Sequence, residues 1–340
     1  MRVLVATDAA APQINGVVRS IEALAREAEA QGASVTLLTP DGFPSVPAPT
    51  YPGIRLALAT PGAIGRRVKA VRPDHIHIAT EGPIGLATRR WCQSQGLLFT
   101  TSYHTRFPDY LAARFPIPRP LTYAALRWFH NGGAGTMVAT DTVAAELEQW
   151  GFRNIMRWSR GVDAELFRPR RDTTLGLPRP VFLYVGRVAV EKNIDAFLAL
   201  DLPGSKVVVG DGPARGRLQS AFPHVTFLGA RTGESLAATY AGADVFVFPS
   251  RTDTFGIVLL EALASGLPVA AFPVAGPRDV IGDSDVGVLD EDLGAACRRA
   301  LAIPRDRPRA FALRHSWAES ARQFLSNVAT VKARGVRQPA

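Results

Sequence analysis

The chain has 340 residues, of which 47% are hydrophobic and 20% charged, and its formal net charge at pH 7 is +9. This length suits two domains, and the composition is that of an ordinary folded protein rather than a disordered chain. The two cysteines, Cys92 and Cys297, lie far apart, which argues against a disulfide framework or a zinc site and favours a reducing compartment.

The positive charge calls for an acidic partner. The arginines are spread along the chain, with no Lys-rich tail and no nucleic-acid-binding motif, so nucleic acid is not a predicted partner. The N-terminus is too short an apolar run for a secretion signal, and no stretch of about 18 apolar residues occurs. The predicted location is therefore the cytoplasm.

In the N-terminal half, short buried strands alternate with helices. Strands are predicted over residues 2–7, 34–39, 75–78 and 97–100, and helices over about 17–31 and 83–95. Such alternation is typical of parallel sheets with crossover helices.

Near residue 170 the alternation stops at a Pro/Arg-rich stretch, which predicts a linker. It restarts with strands predicted over 181–185, 206–209, 225–228, 245–248 and 268–272, and from about residue 310 the chain is helical, with Trp317 and Phe324 as docking residues. The predicted domains are 1–172 and 173–315, followed by a C-terminal helix and tail over 316–340. Because ligands bind outside the carboxyl ends of such strands, both sets of ends are expected along one cleft.

A basic motif follows the strand predicted over 181–185. Gly186-Arg187 forms the turn, and Lys192 lies at the start of the next helix, where backbone amides and the helix dipole favour an anion. An Arg fork and a Lys point charge can neutralise a diphosphate without a metal ion. The alternative is a surface ion pair between Lys192 and Glu191 or another nearby acid.

A second motif occupies residues 248–261, FPSRTDTFGIVLLE. It places a carboxylate at Asp253, a turn at Phe255-Gly256 and a second carboxylate at Glu261. Backbone amides over 255–258 would head a helix and face an anion, and Glu261 could accept hydrogen bonds from a ribose diol. The alternatives are a helix N-cap for Asp253 and a solvated helix position for Glu261.

Taken together, the motifs resemble the large family of retaining glycosyltransferases of the GT-B fold, family 4. In the C-terminal half the resemblance rests on Gly186-Arg187 with Glu191-Lys192-Asn193, Val209 to Pro213, Pro249-Ser250, Phe255-Gly256, Glu261-Ala262 and Gly266 to Val269. In the N-terminal half it rests on Asn15-Gly16-Val17, Ser102 to Thr105 and Gly161-Val162-Asp163 with Phe167. The resemblance covers nearly the whole chain.

The resemblance implies an α/β protein of two doubly wound Rossmann-like domains facing across a cleft, with the C-terminal helix packing back on the N-terminal domain. It implies an enzyme, a retaining hexosyltransferase that uses a nucleotide-diphosphate sugar as donor. No metal and no cofactor are expected. UDP- and GDP-sugars are equally expected donors, and the oligomeric state stays open.

The resemblance also implies the site residues. His104 would lie beside the transferred sugar, and Arg187 and Lys192 would hold the diphosphate and stabilise the leaving nucleoside diphosphate. Asp253 is the fourth catalytic candidate, although the family usually has Glu there, one methylene longer. The donor-binding candidates are Gly16, Gly186, Gly212, Phe255, Gly256, Ile257, Val258 and Glu261. Retention needs either an enzyme nucleophile or same-face attack assisted by the leaving phosphate, and both stay open.

Two further patterns are interpreted as unrelated to catalysis. Asp283-Ser284-Asp285 has the form used by metal-dependent glycosyltransferases, but its position favours a surface turn. The glycines around Gly210 follow a strand without the spacing of a dinucleotide-binding loop.

The acceptor is predicted from the surface chemistry of the N-terminal half. Arginines and aromatic residues interleave over 106–129, and residues 66–72 add positive charge, as in surfaces that bind anionic lipids. The alternative is a core helix with solvated arginines. Segments 102–106 and 158–163 resemble relatives that glycosylate diacylglycerol or phosphatidylinositol-type lipids.

We therefore predict a peripheral enzyme at the inner face of the cell membrane that glycosylates a lipid such as diacylglycerol. The alternatives are a soluble or polysaccharide acceptor, and an inactive protein that binds a nucleotide sugar.

Overall fold

The computed structural model of the protein describes residues 1–11, 13, 15–48, 51–112, 117–170 and 173–336. The chain divides into two compact units, the first formed by Met1–Ser159 with the segment from Trp317 onward, the second by Arg160–Ser316. Each unit contains a six-stranded parallel sheet, as the predicted α/β class requires. Within the described ranges, no helix combines the length and the apolar character that crossing a membrane demands.

The first unit has a sheet in the order β2-β1-β5-β6-β7-β8 and a separate antiparallel hairpin of β3 and β4, which the sequence did not predict. The strands are β1 (Arg2–Ala6), β2 (Ser34–Leu38), β3 (Ser45–Ala48), β4 (Tyr51–Ala57), β5 (His75–Ile78), β6 (Phe99–Tyr103), β7 (Gly135–Val138) and β8 (Ile155–Arg157). The helices are α1 (Gly16–Ala30), α2 (Pro61–Val71), α3 (Pro83–Ser94), α4 (Phe107–Ala112), α5 (Arg119–His130) and α6 (Asp141–Gln149).

The second unit has the strand order β11-β10-β9-β12-β13-β14. Its strands are β9 (Val181–Val185), β10 (Ser205–Val209), β11 (Thr226–Gly229), β12 (Val245–Phe248), β13 (Val269–Ala271) and β14 (Gly287–Leu289). A 3₁₀ turn, Val190–Lys192, precedes the helices α7 (Ile194–Leu198), α8 (Arg215–Ala221), α9 (Gly233–Ala241), α10 (Ile257–Ala264), α11 (Ala275–Ile281), α12 (Leu293–Ala300) and α13 (Asp306–Ala312). The central strands β9 and β12 are buried along their whole length, which explains why they are continuous apolar runs.

The C-terminal helix α14 (Trp317–Val336) packs back on the first unit, as expected. Phe324 is fully buried and its ring lies 5.0 Å from that of Trp158. The indole N–H of Trp158 also donates to the hydroxyl of Ser320, at 3.1 Å. Residues of α1 and α14 cover one face of the first sheet, whereas α2, α3, α5 and α6 cover the other.

The unit boundaries differ from the predicted domain boundaries. Residues 160–170 belong to the second unit rather than to the first, because the guanidinium of Arg309 donates to the carbonyls of Ala164 (2.9 Å) and Phe167 (2.8 Å). The amide of Val162 likewise donates to the carbonyl of His315, at 3.0 Å. The proline-rich composition near residue 170 indicates an irregular segment, but these contacts decide which unit holds it.

The strand predicted over 97–100 was misplaced. Leu97 and Leu98 are 43% and 45% exposed, and the strand β6 runs from Phe99 to Tyr103, with all five residues buried. The amide of Leu97 donates to the carbonyl of Cys92, so these leucines still belong to the turn that closes α3. Ser102 and Tyr103, predicted in a loop, are strand residues as a consequence.

Burial of one histidine makes the stability of the first unit depend on pH. His75 is buried in β5, its Nε2 lies 2.9 Å from the hydroxyl oxygen of Thr100, and burial lowers the pKa of His75 to about 4. Below its ordinary pKa the unfolded chain therefore binds a proton that the folded chain does not bind. We expect this histidine to cost about 3 kcal/mol of stability as the pH falls from 6.5 to 4.

Urea unfolding at pH 7 and at pH 4.5 measures this cost. The His75→Gln variant keeps a polar side chain beside Thr100 but cannot bind the proton, so its stability should fall by about 2.5 kcal/mol less than that of the wild type over this range. Equal losses in the two proteins would contradict the assignment.

Candidate functional site

The loops that follow β9 and β12 meet at the point where the strand order of the second sheet reverses. Strand β9 has β10 on one side and β12 on the other, so the connections leaving β9 and β12 diverge. Ligands of open parallel sheets bind in the crevice that this divergence leaves at the carboxyl ends of the strands. The predicted residues Gly186, Arg187 and Lys192 follow β9, and the predicted segment 253–258 follows β12.

Lys192 and Asp253 form an ion pair across this reversal point, although 61 positions separate them in sequence. Their side chains are 24% and 21% exposed, so the pair is half-buried and reachable from one side. The Lys192 ammonium meets Oδ1 of Asp253, while Oδ2 is buried and accepts no hydrogen bond from the residues that the structure describes. Lys192 therefore does form an ion pair, as in the alternative to a diphosphate site. Its partner, however, is Asp253, which is itself a predicted site residue.

Hydrogen bonds between the loops fix the positions of these side chains. The side-chain amide Nδ2 of Asn193 donates to the carbonyl of Pro249 at 3.1 Å, and the hydroxyl of Thr252 donates to the carbonyl of Glu191 at 3.3 Å. The loop after β10 joins them, because the amide of Val188 donates to the carbonyl of Asp211 at 2.9 Å. Three loops thus form one hydrogen-bonded platform.

Arg187 lies on the same platform and is partly buried. Its carbonyl accepts a hydrogen bond from the hydroxyl of Tyr184, at 2.9 Å. Burial raises the pKa of Tyr184 well above its ordinary value, Asp253 and Glu191 raise it further, and Arg187 opposes them. Charges of both signs therefore surround the Tyr184 hydroxyl, and Arg187 contributes the positive one.

The helix following β9 differs from the expectation. Lys192 lies in a 3₁₀ turn, and its amide and that of Asn193 donate to the carbonyls of Ala189 and Val190. The α-helix that follows, α7, has only five residues. The positive field at this point therefore comes from side chains rather than from a helix N-terminus.

The loop after β12 leads into α10 through Gly256. Gly256 is the N-cap of α10, with φ 83°, a left-handed conformation that glycine adopts without strain. Since glycine has no side chain that could cap the helix, amides of the first turn at Ile257 and Val258 remain available to a ligand. Asp253 is therefore not the helix N-cap. Phe255 is buried beneath this turn.

Gly212 lies where two loops approach each other closely. A Cβ atom at this position would come within 2.4 Å of the carbonyl oxygen of Val188. The predicted donor-binding residue Gly212 thus has a structural reason to be glycine, since it lets the loops after β9 and β10 pack together.

Glu261 is 3% exposed, which excludes the solvated alternative. Oε2 of its carboxylate accepts a hydrogen bond from the hydroxyl of Tyr240, at 3.0 Å. The carbonyl of Glu261 also accepts from the hydroxyl of Ser265, at 3.0 Å. A buried carboxylate that a tyrosine hydroxyl holds in position can accept hydrogen bonds from a diol.

The remaining predicted residues, His104 and Gly16, belong to the first unit. His104 directly follows β6, and its ring lies 5.7 Å from the ring of Trp158 in an edge-to-face arrangement. Gly16 is the first residue of α1, whose N-cap Asn15 accepts from the amides of Val17 and Val18. Both residues lie at the carboxyl edge of the first sheet, where β1 and β6 end.

Sequence reasoning missed two acidic groups at this edge. Asp8, after β1, accepts hydrogen bonds from the amide of Ile84 (2.9 Å) and the hydroxyl of Thr80 (2.8 Å); burial nevertheless raises its pKa. Glu81, after β5, pairs with the buried His130 at 3.1 Å. An acidic residue directly after a predicted strand was the available signal for both. The sequence contains no comparable signal for Tyr240, whose hydroxyl donates to the carboxylate of Glu261.

The Asp283-Ser284-Asp285 segment is a surface turn, as interpreted, and Asp285 pairs with Arg307 at 3.0 Å. In the described ranges, no three His, Cys, Asp or Glu side chains are grouped so that they could hold a metal ion.

The chain thus has two doubly wound α/β units with charged loops at the carboxyl ends of their strands. This is the architecture of the GT-B class of enzymes. The fold agrees closely with that of sucrose-phosphate synthase from Thermosynechococcus elongatus, with a TM-score of 0.83 over 98% of this chain and 99% of that one. The identity between the two is 20%, so this likeness concerns the fold alone.

The sequence places the chain within a family. Residues 14–166 match Glycosyltransferase Family 4, and residues 179–312 match Glycosyl transferases group 1. The chain is 33% identical to a GDP-mannose-dependent alpha-mannosyltransferase of Mycobacterium tuberculosis, over 85% of this chain and 83% of that protein. It is 28% identical to an alpha-monoglucosyldiacylglycerol synthase of Streptococcus pneumoniae, over 90% of this chain and 79% of that protein. The chain belongs to the family 4 glycosyltransferases, and the predicted family and fold class are confirmed.

The charges of Arg187 and Lys192 generate the first prediction for the site. Replacing either residue by alanine should lower kcat/KM for sugar transfer by about 100-fold, because each removes one positive charge from the place where a leaving diphosphate would develop charge. Steady-state kinetics with a nucleotide sugar measures the effect. Arg307→Ala is the matched control, since this exposed arginine of the same unit pairs with Asp285, which precedes β14 and so lies at the opposite edge of the sheet. Near-normal turnover of Arg187→Ala or Lys192→Ala would contradict the assignment.

The buried carboxylate of Glu261 generates the second prediction. Glu261→Gln keeps the volume of the side chain and can still meet the Tyr240 hydroxyl, but it loses the negative charge that the prediction assigns to binding a diol. The KM for the donor should rise about tenfold, the scale of one charge-assisted hydrogen bond, with an unchanged thermal midpoint. An unchanged KM for the donor would remove Glu261 from the donor site.

Proposed function

We propose that the protein is a retaining, metal-independent hexosyltransferase that moves a sugar from a GDP- or UDP-sugar to a membrane lipid such as diacylglycerol. The observation that carries this proposal is the platform at the reversal point of the second sheet. It holds Lys192 against Asp253 and carries Arg187 near the Tyr184 hydroxyl, and the loop that contains Asp253 leads into the uncapped first turn of α10.

The donor diphosphate is the ligand that this platform fits. Arg187 supplies a planar fork and Lys192 a mobile point charge, and the amides at the start of α10 add partial positive charge. Two cationic side chains and these amides are the groups that replace a metal ion at a diphosphate. When the bond between the sugar and the diphosphate breaks, the same groups stabilise the charge on the leaving nucleoside diphosphate.

Asp253 links the diphosphate subsite to the sugar subsite. One oxygen of its carboxylate orients the Lys192 ammonium, and the other is buried without a hydrogen bond from a described residue. A hydroxyl of the donor sugar satisfies this second oxygen in our proposal, since a buried acceptor without a partner is costly. Glu261 receives the ribose diol in this proposal, and His104 stays the predicted neighbour of the transferred sugar.

The reaction proceeds in this proposal by attack from the face that the diphosphate leaves. The acceptor hydroxyl forms the new bond to the anomeric carbon, the bond from that carbon to the phosphate oxygen breaks, and the hydroxyl proton passes to the leaving phosphate. The route preserves the anomeric configuration. For a donor whose sugar is itself alpha-linked to the diphosphate, such as GDP-mannose, the route agrees with the word alpha in the names of both relatives.

GDP-mannose is the first donor to test, and diacylglycerol the first acceptor. The mycobacterial relative is named for GDP-mannose and the streptococcal relative for diacylglycerol. A lipid acceptor places the enzyme at the inner face of the cell membrane. UDP-sugars and soluble acceptors are the competing possibilities.

Mass spectrometry of lipid extracts tests the proposal. Purified protein is incubated in EDTA with GDP-mannose or with UDP-glucose, in the presence of vesicles that contain diacylglycerol. The expected product is a hexosylated lipid that forms in EDTA, and the Lys192→Ala enzyme serves as the negative control.

Other outcomes change specific parts of the proposal. Donor turnover only with a soluble sugar acceptor would contradict the lipid acceptor, and a requirement for added magnesium would contradict metal independence. Donor binding without turnover on any acceptor would indicate an inactive nucleotide-sugar-binding protein.

A further inference from the structure

We infer that one face of the first unit, formed by α2, α3 and α5, docks on an anionic membrane surface. We call it the basic face. The inference deepens the proposed function, on which it rests, because a lipid acceptor requires the enzyme to reach a bilayer. It specifies the surface by which the enzyme does so.

The first observation is the charge of the three helices. None of them contains Asp or Glu, so their charged residues are all arginine or lysine. By contrast, α1 on the other face of the sheet carries Glu22, Glu27 and Glu29 besides its arginines. Helix α6, next to α5 on the same face, is acidic, so the basic face ends at α5. The exposed cations of the three helices and their ends are Arg66, Lys69, Arg72, Arg90, Arg119, which pairs with Asp109, and Arg127.

The second observation is an apolar stripe on the outer side of α5. Leu121 is 65% exposed, Trp128 53%, and Ile117, just before the helix, 40%. The exposed Ala124 and Ala125 fill the spacing between them, so the stripe repeats every three or four residues along one side of the helix.

The inner side of α5 is already occupied. Tyr123, Leu126 and Phe129 are buried in the unit, which confirms that part of the 106–129 stretch is a core helix. The exposed stripe is therefore a second apolar surface on the same helix. Contiguous apolar residues on a surface mark an interaction site.

Trp128 is fixed in its exposed position. The guanidinium of Arg89 lies 3.7 Å from the centre of the Trp128 ring and also donates to the carbonyls of Trp128 (2.9 Å) and Phe129 (3.0 Å). An exposed tryptophan stacked on a buried arginine loses little side-chain freedom when it binds. Tryptophan is also enriched at the headgroup level of bilayers, because its ring is apolar and its N–H is polar.

The combination of charge and apolar stripe selects the partner. Anionic lipids attract each arginine or lysine near the surface by about 1 kcal/mol, and the stripe gains further free energy by entering the headgroup region. A second copy of this chain is a poor partner, because two basic faces repel each other.

The direction of α5 connects the basic face with the predicted acceptor edge. Strands β6 and β7 are parallel neighbours, and α5 lies between them in sequence, so the helix runs back against the strand direction. Its first residues, near Ile117 and Leu121, lie at the carboxyl edge of the sheet, the edge where His104 follows β6. A bilayer on the basic face thus borders the edge at which a lipid acceptor would enter the first unit.

Sedimentation with vesicles tests the inference. The wild type should bind phosphatidylcholine vesicles that contain phosphatidylglycerol, and bind pure phosphatidylcholine weakly. Leu121→Glu should lower the partition coefficient on anionic vesicles about tenfold, because it places a negative charge in the apolar stripe. Leu313→Glu is the matched control, since Leu313 is 55% exposed in the second unit and its change should leave vesicle binding unaltered.

A second measurement separates docking from catalysis. Leu121→Glu should keep the thermal midpoint and the rate of transfer to a short-chain, water-soluble diacylglycerol. Wild-type binding by Leu121→Glu would overturn the inference, as would a wild type that ignores anionic vesicles or that uses this face to form a dimer. A wild type that docks through Leu121 but transfers sugar to no lipid would sustain the inference and refute the proposed acceptor.

Discussion

The ion pair between Lys192 and Asp253 depends on the order of strands in a parallel sheet. Because β10 lies on one side of β9 and β12 on the other, the connections from β9 and β12 leave in different directions. The first residues of the two connections stay close together. Lys192 and Asp253 are therefore in contact although 61 positions separate them in the sequence. Hydrogen bonds between the same loops, from the Asn193 side chain and the Thr252 hydroxyl, hold the two segments together beside that contact.

A half-buried ion pair contributes little to stability, since the loss of hydration offsets most of the attraction. Its physical consequence is preorganisation. Asp253 holds the Lys192 ammonium in place, so in the proposed function little side-chain freedom would be lost when a diphosphate binds. In that proposal the same carboxylate competes with the diphosphate for the ammonium. An aspartate, shorter by one methylene than the glutamate usual in the family, still reaches Lys192 because the two loops are tied together by hydrogen bonds.

The sequence predicted the α/β class and most strands because buried parallel strands are short apolar runs between helices. It did not locate the start of β6, because Leu97 and Leu98 are as apolar as the strand that follows them. It placed the boundary between the units near residue 172, whereas Arg309, far along the chain, ties residues 160–170 to the second unit. The order of motifs indicated Arg187, Lys192 and Asp253. The contact between Tyr240 and Glu261 could not be predicted, because only the packing of α9 against α10 creates it.

Calorimetric titration of GDP in EDTA tests the central claim most directly, that Lys192 is shared between Asp253 and the donor diphosphate. The wild type is compared with Lys192→Ala and Asp253→Asn. Lys192→Ala is expected to bind GDP about tenfold more weakly than the wild type, because a charged contact is lost. Asp253→Asn is expected to bind GDP at least as tightly as the wild type, because the competing carboxylate is removed. Equal weakening in the two variants would contradict the account, since it would mean that the ion pair builds the site instead of competing for the ammonium.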